Sequence, residues 1–147
     1  MLYFFLTTAA LIIAVLGWYA GKLLSQLQQQ NKRQQRARQA RVENISQSIQ
    51  TIAFAMMQQQ CNLSEGAIRI CRLLESLPIQ PLPNYPEMYP QIHLLFEHVK
   101  HLPTHEERAR LTKSERRKQD KAREQKESEL ESSILQELQK LRVFSCA

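Results

Sequence analysis

The sequence predicts an all-α protein with a single N-terminal membrane span, and three observations carry that expectation. Glycine occurs three times and the six prolines are confined to residues 78–103, so long stretches hold nothing that interrupts a helix. No alternating β-branched run and no Asn-Gly or Asp-Gly hairpin dipeptide occurs. From Met1 to Gly21 there is no charged side chain. A length of 147 residues accommodates one compact domain of ordinary size with further elements.

Residues 1–24 read as a transmembrane anchor, because a helix through the uncharged Met1 to Gly21 rises roughly 30 Å, the thickness of the hydrocarbon layer. Positive charge follows the apolar run instead of preceding it, and Trp18 and Tyr19 crowd its exit. Both features suit a retained anchor better than a cleaved signal peptide. Trp18, Tyr19 and Lys22 are the expected membrane-interface residues. Lys22, Lys32, Arg33, Arg36, Arg38 and Arg41 are the first charged side chains, and no acidic residue comes before Glu43. The formal net charge of +6 therefore resides beside the span, and residues 42–147 balance 14 basic against 14 acidic groups. Basic flanks stay on the cytoplasmic side, which puts the N-terminus outside and the rest of the chain in the cytoplasm. Lys32, Arg33, Arg36, Arg38 and Arg41 either enforce this topology alone or also touch anionic headgroups, each at about 1 kcal/mol near the surface.

Residues 25–41, rich in Gln and Arg, form a spacer. No helix breaker and no apolar stripe occurs between Gln28 and Arg41, which leaves a polar helical stalk and a disordered tract both open. Periodicity begins with Val42, Ile45, Ile49, Ile52 and Met56, one apolar helix face that Ala53, Phe54 and Met57 widen. A second helix follows, with Asn62 and Glu65 at capping-box spacing and with Leu63, Ala67, Ile70, Leu74 and Leu77 inward until Pro78 ends it. Residues 78–90 hold five prolines and read as a rigid crossover whose Ile79, Leu82, Tyr85, Met88 and Tyr89 cover the edge of the core. A third helix turns Ile92, Leu95, Phe96, Val99 and Leu102 inward and stops at Pro103. Residues 42–102 thus form a small helical bundle.

Residues 103–147 read as a charged helix ending in an apolar stripe. Thr104 with Glu107 and Thr112 with Glu115 mark two helix starts. From Lys113 to Glu129 the sole aliphatic residue is Ala122, which predicts a length with no buried face, held by exposed i,i+4 ion pairs. Leu130, Ile134, Leu138 and Leu141 then restore a stripe that needs the bundle or a second copy of the chain. The candidate docking surface comprises Thr104, His105, Arg108, Glu115, Arg116, Arg117 and Lys121. Residues 103–127 mix nine basic with six acidic groups, and such mixing weakens a phosphate-tracking stripe. A protein partner is accordingly expected, with homo-oligomerisation open and nucleic acid disfavoured.

No catalytic, cofactor or metal constellation emerges. His93, His98, His101 and His105 cluster, but Pro103 breaks their helical line and no Asp or Cys stands at ligand spacing. Cys61, Cys71 and Cys146 are expected to be reduced thiols in the cytoplasm. The stretches "LSEGAIR" and "LPTHEERARLTKSERRKQDKARE", together with the uncharged anchor, resemble a family of small gammaproteobacterial proteins known as a domain of unknown function. The resemblance covers residues 42–142 and implies a bacterial inner-membrane setting and no catalytic activity. The expected function is a membrane-tethered helical protein–protein interaction module that is not an enzyme; the alternative is a membrane-associated nucleic-acid or ribosome-binding protein.

Overall fold

The computed structural model describes residues 1–103 and 105–145, the side chains of residues 2–10 and of His105 excepted. The described chain folds into α1 (Leu2–Met57), α2 (Leu63–Glu75), α3 (Tyr85–Met88), α4 (Pro90–Val99), α5 (His105–Arg110) and α6 (Lys113–Leu141), with no strand among the described residues. All-α is therefore the class. The chain divides into two units, Met1–Ala40 and Arg41–Ala147.

In the first unit residues 25–40 are helical, which settles the open choice between polar helix and disorder for this stretch. Side chains 11–40 are exposed throughout, and the Lys22 ammonium lies 5.5 Å from the centre of the Trp18 ring. Among the described residues no helix is long and apolar enough to cross a membrane. The span expected over residues 1–24 draws on residues 2–10, whose side chains lie outside those described.

The second unit is built on the apolar periodicities. Ile45, Ile49, Ala53 and Met56 of α1 are buried with Ala67, Ile70 and Leu74 of α2, Ile92, Leu95, Phe96 and Val99 of α4, and Leu130, Ile134, Leu138 and Leu141 of α6. Tyr85 and Tyr89 of the crossover and Phe144 beyond α6 close the core, Tyr85 and Phe144 at 6.3 Å between ring centres. Three expected core residues turn outward: Phe54, Leu82 and Met88 are each about half exposed. Phe54 is wrapped instead by the Arg142 guanidinium, 6.0 Å from its ring centre, which shields its face at the surface.

The connections show how local chemistry decides element ends. After Met57 the chain leaves α1 through Gln59 at φ 55°, a left-handed position more often occupied by glycine. Asn62 caps α2 by accepting from the Ser64 amide at 2.9 Å. The expected reciprocal bond from Glu65 is missing, because Glu65 pairs with Arg69 one turn on. Gly66 is required by close approach: a Cβ there would stand 2.2 Å from Met56 Sδ of the buried α1 face.

α4 is started by a residue far along the chain. Its first residue is Pro90 and its N-cap, Tyr89, supplies no side-chain bond. The carboxylate of Glu137, buried on α6, accepts the Gln91 and Ile92 amides at 2.9 Å each. It satisfies the donors that a Ser or Asp cap would otherwise hold. Gln50 of α1 donates to the Phe144 carbonyl at 2.7 Å and ties the opening of this unit to its close.

Candidate docking surface

α6 begins with the capping box expected from its sequence. The Glu115 amide donates to Thr112 Oγ1 at 3.3 Å and the Thr112 amide donates to Glu115 Oε2 at 2.8 Å. The carboxylate also accepts from the Thr112 hydroxyl at 2.7 Å, and these bonds from Thr112 hold the Glu115 carboxyl below its ordinary range. The Thr104 box lies outside the described residues.

From this start α6 runs 29 residues. Its buried stripe of Leu130, Ile134, Leu138 and Leu141, followed backwards at three- and four-residue steps, passes through Glu127, Arg123 and Asp120. These three are partly buried, so the expectation of no buried face between Lys113 and Glu129 is corrected. The face exists and is polar. Ser64 of α2 donates to Glu127 Oε1. Arg123 Nε lies 3.8 Å from the same oxygen without hydrogen-bonding it. Arg108 of α5 donates through Nη2 to both oxygens of Asp120 at 2.7 and 2.8 Å, and this bond keeps the Asp120 carboxyl below its usual range. A further acidic group, Glu129, accepts from Lys126 at 3.0 Å and is depressed by that bond.

Asp120 and Glu115 are thereby engaged by Arg108 and Thr112, whereas five basic groups around them are not engaged among the described residues. Lys113, Arg116, Arg117, Lys118 and Lys121 are exposed and form no ion pair among the described residues. Lys113, Arg117 and Lys121, four apart, make one row that starts beside Asp120 and drifts away from the buried stripe, with Lys118 beyond it. Glu124, exposed, ends the run.

Of the residues expected to dock, Arg117 and Lys121 lie in this row, and Arg116, also exposed, continues the phase of the stripe four residues before Asp120. Arg108 turns inward onto Asp120 and Glu115 folds back onto its cap. Thr104 and the His105 side chain lie outside the described residues. Lys113 and Lys118 complete the surface without having stood out in the sequence. The stalk cations Lys32, Arg33, Arg36, Arg38 and Arg41 are exposed, as are Trp18, Tyr19 and Lys22.

A cleft of about 480 Å³ opens beside the polar seam, lined by Ile68, Val99 and Leu102 together with Ser64, Arg108 and Arg123. Among the described residues neither histidine nor cysteine lines it, and both arginines already face carboxylates. Among the described residues no three His, Cys, Asp or Glu side chains gather to hold a metal ion. His93 is turned to the Tyr89 carbonyl, its Nδ1 at 2.9 Å. Burial, reinforced by the Glu75 carboxylate, pushes the Cys71 thiol up to about 12, which leaves it protonated and poorly nucleophilic.

No solved structure matches the chain. A protein of Haemophilus influenzae, described as an uncharacterized protein, is 38% identical over 138 residues, covering 94% of this chain and 91% of the relative. Residues 13–141, from the apolar segment to the end of α6, match the family described as protein of unknown function (DUF2489), and the chain belongs to that family.

Proposed function

We propose that the protein is a single-span, membrane-tethered helical interaction module, its domain in the cytoplasm, that docks a partner of opposite charge through the head of α6. The observation that carries this reading is the sorting of charge on one helix: five cations between Lys113 and Lys121 form no ion pair among the described residues, and Glu115 and Asp120 among them are engaged by Thr112 and Arg108. Like charges crowded at successive turns repel one another, so an oppositely charged surface gains by meeting them and gains specificity from their pattern.

The tether rests on the uncharged residues 1–21 and the six basic residues that follow before any acidic one. Trp18, Tyr19 and Lys22 fit the boundary and Lys32 to Arg41 the headgroup zone. The experiment has two arms on the full chain. A reporter active only outside the cytoplasm, fused after Ala147, stays silent; strong activity overturns the topology. Mild crosslinking in membranes captures a partner that R116E/R117E/K121E loses; an unchanged partner set overturns the docking surface.

A further inference from the structure

Resting on that docking reading, we propose that the partner is duplex DNA, with the first turns of α6 seated in its major groove and the five cations meeting phosphates on both walls. A helix advances 100° per residue. On that wheel Arg116, Lys113, Arg117, Lys121 and Lys118 follow one another over an arc of about 200°. All five are exposed, and so is every residue from Thr112 to Lys118, so this end of the helix presents cations on both flanks and on its crest.

That distribution selects among polyanions. A bilayer is a plane and meets one side of a helix, leaving either Arg116 or Lys118 unused. A major groove about 12 Å wide admits a helix 10–12 Å across and carries phosphates along both edges. A protein interface needs an apolar or aromatic anchor at its centre and is poor in lysine. Between Lys113 and Glu129 this helix has Ala122 as its sole aliphatic residue and no aromatic one. The same lack removes the stacking platform by which single strands are held. A-form RNA closes its major groove to side chains. Helix polarity points the same way: bases in the first turns oppose the positive end of the macrodipole, and the resulting cationic pole suits a phosphate row. Of the six acidic groups in residues 103–127, Asp120 is held by Arg108, Glu127 by Ser64 and Glu115 by its own cap, which lowers the acidic share of the surface that meets phosphate.

The test uses the full chain in nanodiscs of zwitterionic phosphatidylcholine, with a fluorescent mixed-sequence duplex of about 20 base pairs and anisotropy read from 50 to 200 mM salt. Five phosphate contacts at about 0.9 each predict a log–log slope near −4.5, a loss of about 500-fold across that range. R116E and K118E, on opposite flanks, each flatten the slope by about 1 or more, with circular dichroism confirming the fold and R116Q and K118Q giving the same order. Parallel probes are duplex RNA, a polyglutamate peptide and nanodiscs containing anionic phosphatidylglycerol. Absence of duplex DNA binding beyond that of R116E/R117E/K118E overturns the proposal, as does control by one flank alone. If polyglutamate or anionic lipid is bound through these cations and DNA is not, the DNA assignment falls and the docking reading stands. If reversing all five alters binding to no probe, both fall.

Discussion

From Leu130 to Leu141 the inward stripe of α6 is leucine and isoleucine in the core with one buried carboxylate, Glu137, whereas from Asp120 to Glu127 the same stripe consists of two carboxylates and a guanidinium facing named partners. Helical register is identical in the two halves. What differs is the kind of specification: an apolar face gains about 1.5–3 kcal/mol for each large side chain it buries and accepts many neighbours. A polar face gains about 0.5–1.5 kcal/mol net per hydrogen bond and accepts only matched ones. The first half thus holds α5 and the start of α2 in place at little energetic depth, and its outward side is left to the unpaired cations.

Substitutions along α6 sharpen this comparison. The largest expected effect is Ile134→Ala in the apolar half, a loss of about 2–5 kcal/mol by chemical denaturation; a cost below 1 would show that this half is not the anchor. Glu137→Ala strands two α4 amides and should cost about 2–3 kcal/mol, with amide exchange faster at Gln91 and Ile92 than at the end of the same helix. In the polar half Ser64→Ala should cost about 1 kcal/mol, since the bond to Glu127 is a single contact.

Acid discriminates the halves without mutation. Arg108 depresses the Asp120 carboxyl in the fold, and a depressed carboxyl contributes stability that is complete above its unfolded value of about 3.9 and drains as pH falls through the lower folded one. The α5–α6 clasp should therefore still hold at about pH 4 and open only as pH falls below the ordinary carboxylate range, seen as proteolysis near Arg110 before the apolar half unfolds. Asp120→Asn should abolish that step. Smallest of all, R116E/R117E/K121E should move the melting temperature by no more than a few degrees, since none of the three is in an ion pair among the described residues and exposed charges are worth roughly 0–1 kcal/mol.

The apolar half and its bundle were legible because burial repeats every three or four residues: Ile45, Ile49, Ile70, Leu74, Ile92, Leu95 and Ile134 all stood on such stripes and are buried. The polar half was half legible. Counting charges over residues 103–127 merged both signs into one surface, although the stripe from Leu130 extended backwards meets Glu127, Arg123 and Asp120. Phase along the helix carried the information that composition discarded. Glu137 was not legible at all: on a stripe of leucines a glutamate reads as a solvent position, and its partners lie 45 and 46 residues earlier. Phe54 failed for the opposite reason, since its stacking on Arg142 depends on a residue beyond the last apolar repeat.

That reach of Glu137 sets an order on biosynthesis. α4 leaves the ribosome well before α6, able to meet α2, whose Arg72 lies over the Phe96 ring, but with the Gln91 and Ile92 amides bare of Glu137. Gln50 waits still longer for the Phe144 carbonyl, 94 residues away. Loops of this size must close before their contacts give any return, so a fold made only of helices gives up much of the speed such folds usually have. A nascent chain stalled before α6 is consequently an open clamp of leucines, a species for chaperones and proteases to sort.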